Sequence, residues 1–152
     1  MKSLPTEYRT PRSTRMPFSS AGQVISTSTV KSVLDGKYAD KHTAIIDCRF
    51  AYEYHGGHIF GAKNFPPGEV QGLIQHVFGI NGLLSQKQSK LLLIMHCEFS
   101  QCRAPRMAAE LIRFSTLTGR SQHLEVYVMK GGYSEFYRVF PDACEPRGYM
   151  AM

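Results

Sequence analysis

An uninterrupted apolar run, Leu91-Leu92-Leu93-Ile94-Met95, constrains this chain more than any other feature. Five such residues in a row lack the alternation of a half-buried strand, so they read as a strand covered on both faces, at the centre of a parallel sheet. The strand delivers His96 and Cys97 into a polar loop. A segment opened by Pro105 follows, with Met107, Ala108, Leu111 and Ile112 forming the apolar stripe of a helix. The local order is buried strand, polar loop, helix.

Weaker signals on either side repeat the alternation. Val24-Ile25 reads as a brief strand, and Ser26 to Ser28 supply caps for a helix through Leu34 that Asp35-Gly36 ends. Thr43 to Asp47 is a second buried strand, His55-Gly56-Gly57-His58 a loop, Ala62 to Phe65 a short strand before Pro66-Pro67, and residues 68–78 a helix. Leu124 to Met129 reads as a further strand, Gly131-Gly132 as a turn, and Tyr133 to Val139 as a short aromatic helix. Such alternation defines an α/β fold whose central, mostly parallel sheet is flanked by helices.

With 152 residues, 43% of them apolar, the chain suffices for one core. Residues 21–152 are expected to form it. Residues 1–20 carry Pro5, Pro11, Pro17 and many hydroxyl residues, and read as a basic, disordered leader. Of the net charge of +6, Lys2, Arg9, Arg12 and Arg15 against Glu7 place +3 in that leader, so the body is only mildly basic. No nucleic-acid partner is expected. The sequence shows neither a signal-peptide apolar region nor a run long enough to cross a bilayer, so a soluble, intracellular protein without a membrane partner is expected. Cys48, Cys97, Cys102 and Cys144 are too sparse for a disulfide scaffold, and the question for each is its reactivity. His55, His58 and His96 show no metal-ligand spacing with them, so no metal is expected.

The loop Cys97-Glu98-Phe99-Ser100-Gln101-Cys102-Arg103 spaces a cysteine and an arginine six positions apart, just before a helix. A loop wrapping onto a helix start turns several backbone N–H groups into one cavity, an anion nest that the helix dipole reinforces. Arg103 adds a planar fork of donors for two phosphate oxygens. The same positive field favours the thiolate, the competent nucleophile, and attack on phosphorus would give a cysteinyl-phosphate that water then hydrolyses. The bland reading, a chance spacing around an inert buried thiol, is weakened by the strand before and the helix after.

Four blocks in order, DCRFAYEYHGGHIFGAKNF (47–65), HCEFSQCRAPRM (96–107), YVMKGGYSEFY (127–137) and CEP (144–146), closely resemble the M-phase inducer phosphatases. The resemblance implies a rhodanese-like domain that removes phosphate from adjacent phosphothreonine and phosphotyrosine of a cyclin-dependent kinase in its cyclin complex, promoting entry into mitosis. It implies Cys97 as nucleophile, Arg103 as phosphate clamp, the N–H groups of residues 98–103 as cradle, and no cofactor. It further implies a Cys48–Cys97 disulfide that protects the nucleophile from irreversible oxidation, with a monomer in nucleus and cytoplasm as the expectation.

The chain departs from the family in places. Cys102 stands where many relatives carry Glu before the loop arginine, which leaves Glu98 as candidate general acid, with the substrate's phosphate or water as the other donors. Cys102 is also a second candidate to resolve oxidised Cys97. Ile112 and Thr116 lie where animal relatives carry kinase-gripping arginines, and the C-terminal helical tail of those relatives is not seen before Met152. Asp47, Arg49 and Glu53 are expected to form a supporting ion-pair network, and Tyr127, Tyr133, Phe136 and Tyr137 to pack a core. Two enzymatic rivals share the fold: a sulfurtransferase, whose active loop is typically one residue shorter, and an arsenate reductase with the same loop spacing. The third rival is a phosphoprotein-binding module without turnover.

Overall fold

The computed structural model describes residues 3–6, 22–86 and 89–152. Five strands, β1 (Gln23–Ile25), β2 (His42–Asp47), β4 (Lys63–Asn64), β5 (Leu91–His96) and β6 (Leu124–Met129), form a parallel sheet in the order β1-β6-β5-β2-β4. The strand read first in the sequence is therefore the central one. Its six residues are all buried because both faces are covered. Leu91, Leu93 and Met95 join the cluster formed with helices α3 (Val70–Phe78) and α5 (Arg103–Leu117), while Leu92 and Ile94 join the one formed with α1 (Thr27–Leu34) and α6 (Gly132–Val139). Burying Leu93 alone is worth about 2 kcal/mol.

The helix ends follow the local chemistry. Ser26 Oγ accepts from Thr29 N–H at 3.1 Å and caps α1. Residues 68–78 begin their helix two residues later than the sequence indicates, because Gly68 adopts φ 92° and belongs to the preceding turn. The His55 to His58 loop needs correction: His55 ends a helix, α2 (Ala51–His55), and His58 starts the two-residue strand β3 (His58–Ile59). β3 pairs antiparallel with β7 (Cys144–Glu145), and α4 (Leu83–Gln86) follows α3. Both were hidden by their brevity.

Of the leader, residues 3–6 are described: Leu4 is buried, its N–H donates to the Tyr127 hydroxyl at 3.0 Å, and Ser3 Oγ donates to Glu125 at 2.7 Å. Residues 7–20 lie outside the described residues. No helix among the described residues is long and apolar enough to cross a membrane.

Candidate active site

Cys97 stands at the carboxyl end of β5 and is 3% exposed. Its Sγ accepts from the Ala104 N–H at 3.3 Å, so the sulfur sits against the first turn of the fifteen-residue helix α5. An N-terminus presents unsatisfied N–H groups and partial positive charge, which favours an anion at that point. Ser100 turns the loop with φ 57°, an uncommon left-handed conformation for a residue with a side chain, and one that forms anion-binding concavities. The Cys97 N–H donates to Ser100 Oγ at 3.4 Å, closing the turn on itself. Phe99, Gln101 and Cys102 form the exposed apex.

The opposite wall comes from α2. Glu53, fully buried, accepts from Arg103 Nη1 at 2.6 Å and Nη2 at 3.1 Å, a charge-assisted fork. The same carboxylate accepts from the Phe50 N–H at 3.0 Å and so caps its own helix. A guanidinium has five N–H donors, so this fork leaves three for a phosphate. The hydrogen bonds to Glu53 raise the Arg103 pKa above its ordinary value, and the charge persists. The ring of Phe50 covers the guanidinium at 5.4 Å.

Asp47, Arg49 and Glu53 thus fall into two separate ion pairs, Asp47 with Arg49 and Glu53 with Arg103. Arg49 Nη2 donates to Asp47 at 2.7 Å and to the Gly57 carbonyl at 2.7 Å, fully buried, with its guanidinium 4.1 Å over the Tyr133 ring. Burial alone would raise the Asp47 carboxyl, but neighbouring charge and the Arg49 hydrogen bonds hold it below its ordinary value. His96 lies 3.8 Å from Asp47 through Nε2, and burial pushes its own pKa down. His96 Nδ1 lies 3.2 Å from the Cys97 carbonyl, which makes Nδ1 the protonated nitrogen.

Glu98 is 6% exposed and its carboxylate is taken on both oxygens, by the Tyr149 hydroxyl at 2.5 Å and the Met152 N–H at 3.3 Å. The Cys97 and Glu98 carbonyls accept from the Tyr133 and Ser134 N–H groups, each at 2.9 Å, so the start of α6 pins the loop. Gly132 makes that approach possible: a Cβ there would lie 2.4 Å from the Glu98 oxygen, and its φ is 63°.

Cys48 is fully buried in the same cluster as Cys97, and both thiols are free, without the expected disulfide. Burial first, then the neighbouring Cys97 and Asp47, push the Cys48 thiol well above its ordinary pKa. Asp47 pairs with His96 at the last register of the sheet, and the Cys48 N–H donates to the His96 carbonyl at 2.7 Å, so one step further sets Cys48 beside Cys97 just past the ends of adjacent strands. Strands lie about 4.8 Å apart, inside the Cα range of a disulfide. Cys102 is exposed at the helix cap. Ile112 is half-buried against the core, and Thr116 is exposed. Among the described residues no three His, Cys, Asp or Glu side chains cluster to hold a metal.

Sequence reasoning places Glu53 in a supporting ion-pair network without naming Arg103 as its partner, and does not single out Tyr149. The only signal for Glu53 was a carboxylate three residues after a non-capping Phe50; for Tyr149 there was none.

The rhodanese-like domain family matches residues 29–138. Over 133 residues the chain is 38% identical to M-phase inducer phosphatase 1 of Mus musculus, covering 84% of this chain and 25% of that protein. It is 33% identical over 144 residues to the Cdc25-like protein phosphatase twine of Drosophila melanogaster, covering 86% and 32%. The chain therefore spans between a quarter and a third of the length of these relatives. Among solved structures, a yeast protein tyrosine phosphatase of the rhodanese family superposes with TM-score 0.66 at 21% identity, covering 84% of this chain and 94% of that one, which speaks for the fold. The As/Sb reductase of Leishmania major superposes with TM-score 0.63 at 25% identity, covering 80% and 83%. The chain belongs to the rhodanese-like domain family, and over the matched region it is similar to the M-phase inducer phosphatases.

Proposed function

We propose that the protein is a dual-specificity phosphatase that removes phosphate from phosphotyrosine and phosphothreonine of a cyclin-dependent kinase, working through Cys97. The observation that carries this reading is the Cys97 sulfur at 3.3 Å from a helix-start N–H, with Arg103 held behind the same loop by Glu53. The substrate's phosphoryl oxygens occupy the N–H groups of residues 98–103 and the remaining donors of Arg103. The Cys97 thiolate attacks phosphorus in line, the S–P bond forms as the ester P–O bond breaks, and the leaving oxygen takes a proton. Water then attacks the cysteinyl-phosphate, releasing inorganic phosphate and restoring the thiolate. With both Glu98 oxygens committed to Tyr149 and Met152, the proton comes from the substrate's own phosphate or from water.

Cys48 is the proposed resolving thiol. A sulfenic acid formed on Cys97 by a peroxide condenses with it, releasing water and forming the disulfide. A cyclin-dependent kinase complex, met in nucleus and cytoplasm, is the proposed partner, and the similarity to phosphatases named as M-phase inducers supports a cell-cycle role.

Hydrolysis of an aryl phosphate and of a doubly phosphorylated kinase-loop peptide, by wild type and Cys97→Ser under reducing conditions, tests the proposal. Turnover that Cys97→Ser abolishes, with radiolabelled phosphate trapped on wild type by acid quench, is the expected result. No hydrolysis, with arsenate reduced instead, would transfer the site to the reductase reading.

A further inference from the structure

A buried carboxylate next to a thiolate nucleophile is a liability in an anion-binding loop. Left free, it competes with phosphate for the same N–H groups and repels the incoming dianion. Glu98 occupies that position at 6% exposure, yet its contacts lead to the segment that follows β7.

That segment is seated in a fitted track. Tyr149 packs against Tyr133 and Tyr137 with ring centroids 5.5 and 5.9 Å away, and the Tyr133 hydroxyl donates to the Gly148 carbonyl at 2.6 Å. Gly56 and Gly57 floor the track: a Cβ at Gly57 would lie 2.0 Å from the Gly148 oxygen, and one at Gly56 2.5 Å from Met150 Cβ. The Tyr52 hydroxyl donates to the Met152 carbonyl at 2.8 Å, so Met152 bridges α2 and the catalytic loop. The strap therefore reads the position of both walls of the site.

We infer that Tyr149 is a positioning residue: through its hydroxyl it holds the Glu98 carboxylate on the strap side of the loop and keeps the phosphate cradle open to an oxyanion. The inference rests on the phosphatase reading of the loop. Tyr149 touches no reacting atom, and its effect runs through one charged group, so removing that charge must remove the effect.

Tungstate binding to the Cys97→Ser protein, measured by calorimetry, reads the cradle without turnover. Tyr149→Phe is expected to weaken tungstate about tenfold, the scale of one charge-assisted hydrogen bond. In a Glu98→Gln background the same change is expected to have no effect. Tyr52→Phe, which loosens the other anchor of Met152, is expected to give a smaller loss with the same dependence on Glu98, and it serves where Tyr149→Phe does not fold. Unchanged tungstate binding in both tyrosine variants, or an equal loss with and without the Glu98 charge, would overturn the role of the strap. A Cys97→Ser protein with Tyr149 intact that binds no tungstate would instead sink the phosphatase reading on which the inference rests.

Discussion

Glu53→Gln keeps the size of the side chain and removes its charge. The carboxylate accepts from Arg103 Nη1 and the Phe50 N–H on one oxygen, and from Arg103 Nη2 on the other. A glutamine oxygen placed at the first position keeps two of these contacts, but its amide N–H2 then faces Nη2, donor against donor. One charge-assisted bond and the Coulomb attraction are lost. Breaking a buried pair costs about 3–5 kcal/mol and one charged hydrogen bond about 1.5–3 kcal/mol. The Arg103 side chain is 15% exposed, and water screens part of the loss, which places the cost near 2 kcal/mol.

If that cost falls on the orientation of the guanidinium toward phosphate, kcat/KM on an aryl phosphate drops about 30-fold, since each 1.36 kcal/mol is tenfold. Steady-state kinetics beside urea unfolding separates the two readouts. Glu53→Asp keeps the charge but draws it back by one methylene, and is expected to fall between wild type and Glu53→Gln in kcat/KM. A Glu53→Gln enzyme that loses 2 kcal/mol of stability while kcat/KM stays within about twofold of wild type would refute the argument. Glu53 would then be a counter-ion for Arg103 and nothing more.

Gly132→Ala forces a Cβ against the Glu98 and Cys97 carbonyls at a left-handed φ, so kcat/KM is expected to fall at least tenfold, about 1.4 kcal/mol, in protein that remains folded by circular dichroism. Leu93→Ala empties the centre of the sheet and is expected to cost about 2–5 kcal/mol with an unchanged urea m-value. Burial holds His96 below its ordinary pKa of 6.5, so the unfolded chain binds a proton there that the native protein does not. This contribution is complete above pH 6.5 and is lost progressively as pH falls from that value through the lower folded pKa, at no more than about 1.4 kcal/mol per pH unit for one group. His76, lowered by burial and by Lys63, acts in the same direction. Urea unfolding at pH 7 and pH 5 should show the loss, and His96→Gln should flatten it; an equal slope in the variant would discard His96 as the source.

The strand, loop and helix from Leu91 to Leu117 were legible because they are consecutive: burial pattern, motif and helix stripe are all local signals. The pairing of Glu53 with Arg103 was not, since fifty residues separate them and only the adjacency of β2 and β5 brings them together. Helix α2 escaped because five residues span little more than one turn, too few for a repeating stripe, and its first turn is stabilised by Glu53 reaching back to Phe50, a contact that composition does not announce. The two-residue strands β3 and β7 are too short for alternation to register. Glu98 illustrates the remaining limit. Its place beside Cys97 made it a candidate acid, and what decides its orientation is a tyrosine 51 residues away.

The sheet order explains why these distant residues meet. From β2 the chain steps outward to β4, then returns to place β5 on the other flank of β2, so the direction of winding reverses between β2 and β5. In open parallel sheets the crevice outside the carboxyl ends at such a reversal is where ligands bind. Cys97 follows β5 into that crevice, and α2, carrying Glu53, follows β2 into it. The register then sets which groups share a face. With Asp47 opposite His96, Cys48 falls beside Cys97 on the α5 side, while Asp47 and Arg49 face Tyr133 and α6. A slip of one residue would turn Cys48 away from Cys97 and drive the Asp47–Arg49 pair into the apolar cluster under α5, at a cost of several kcal/mol per ion. One register therefore fixes both the thiol beside the nucleophile and the ion pair on the opposite face.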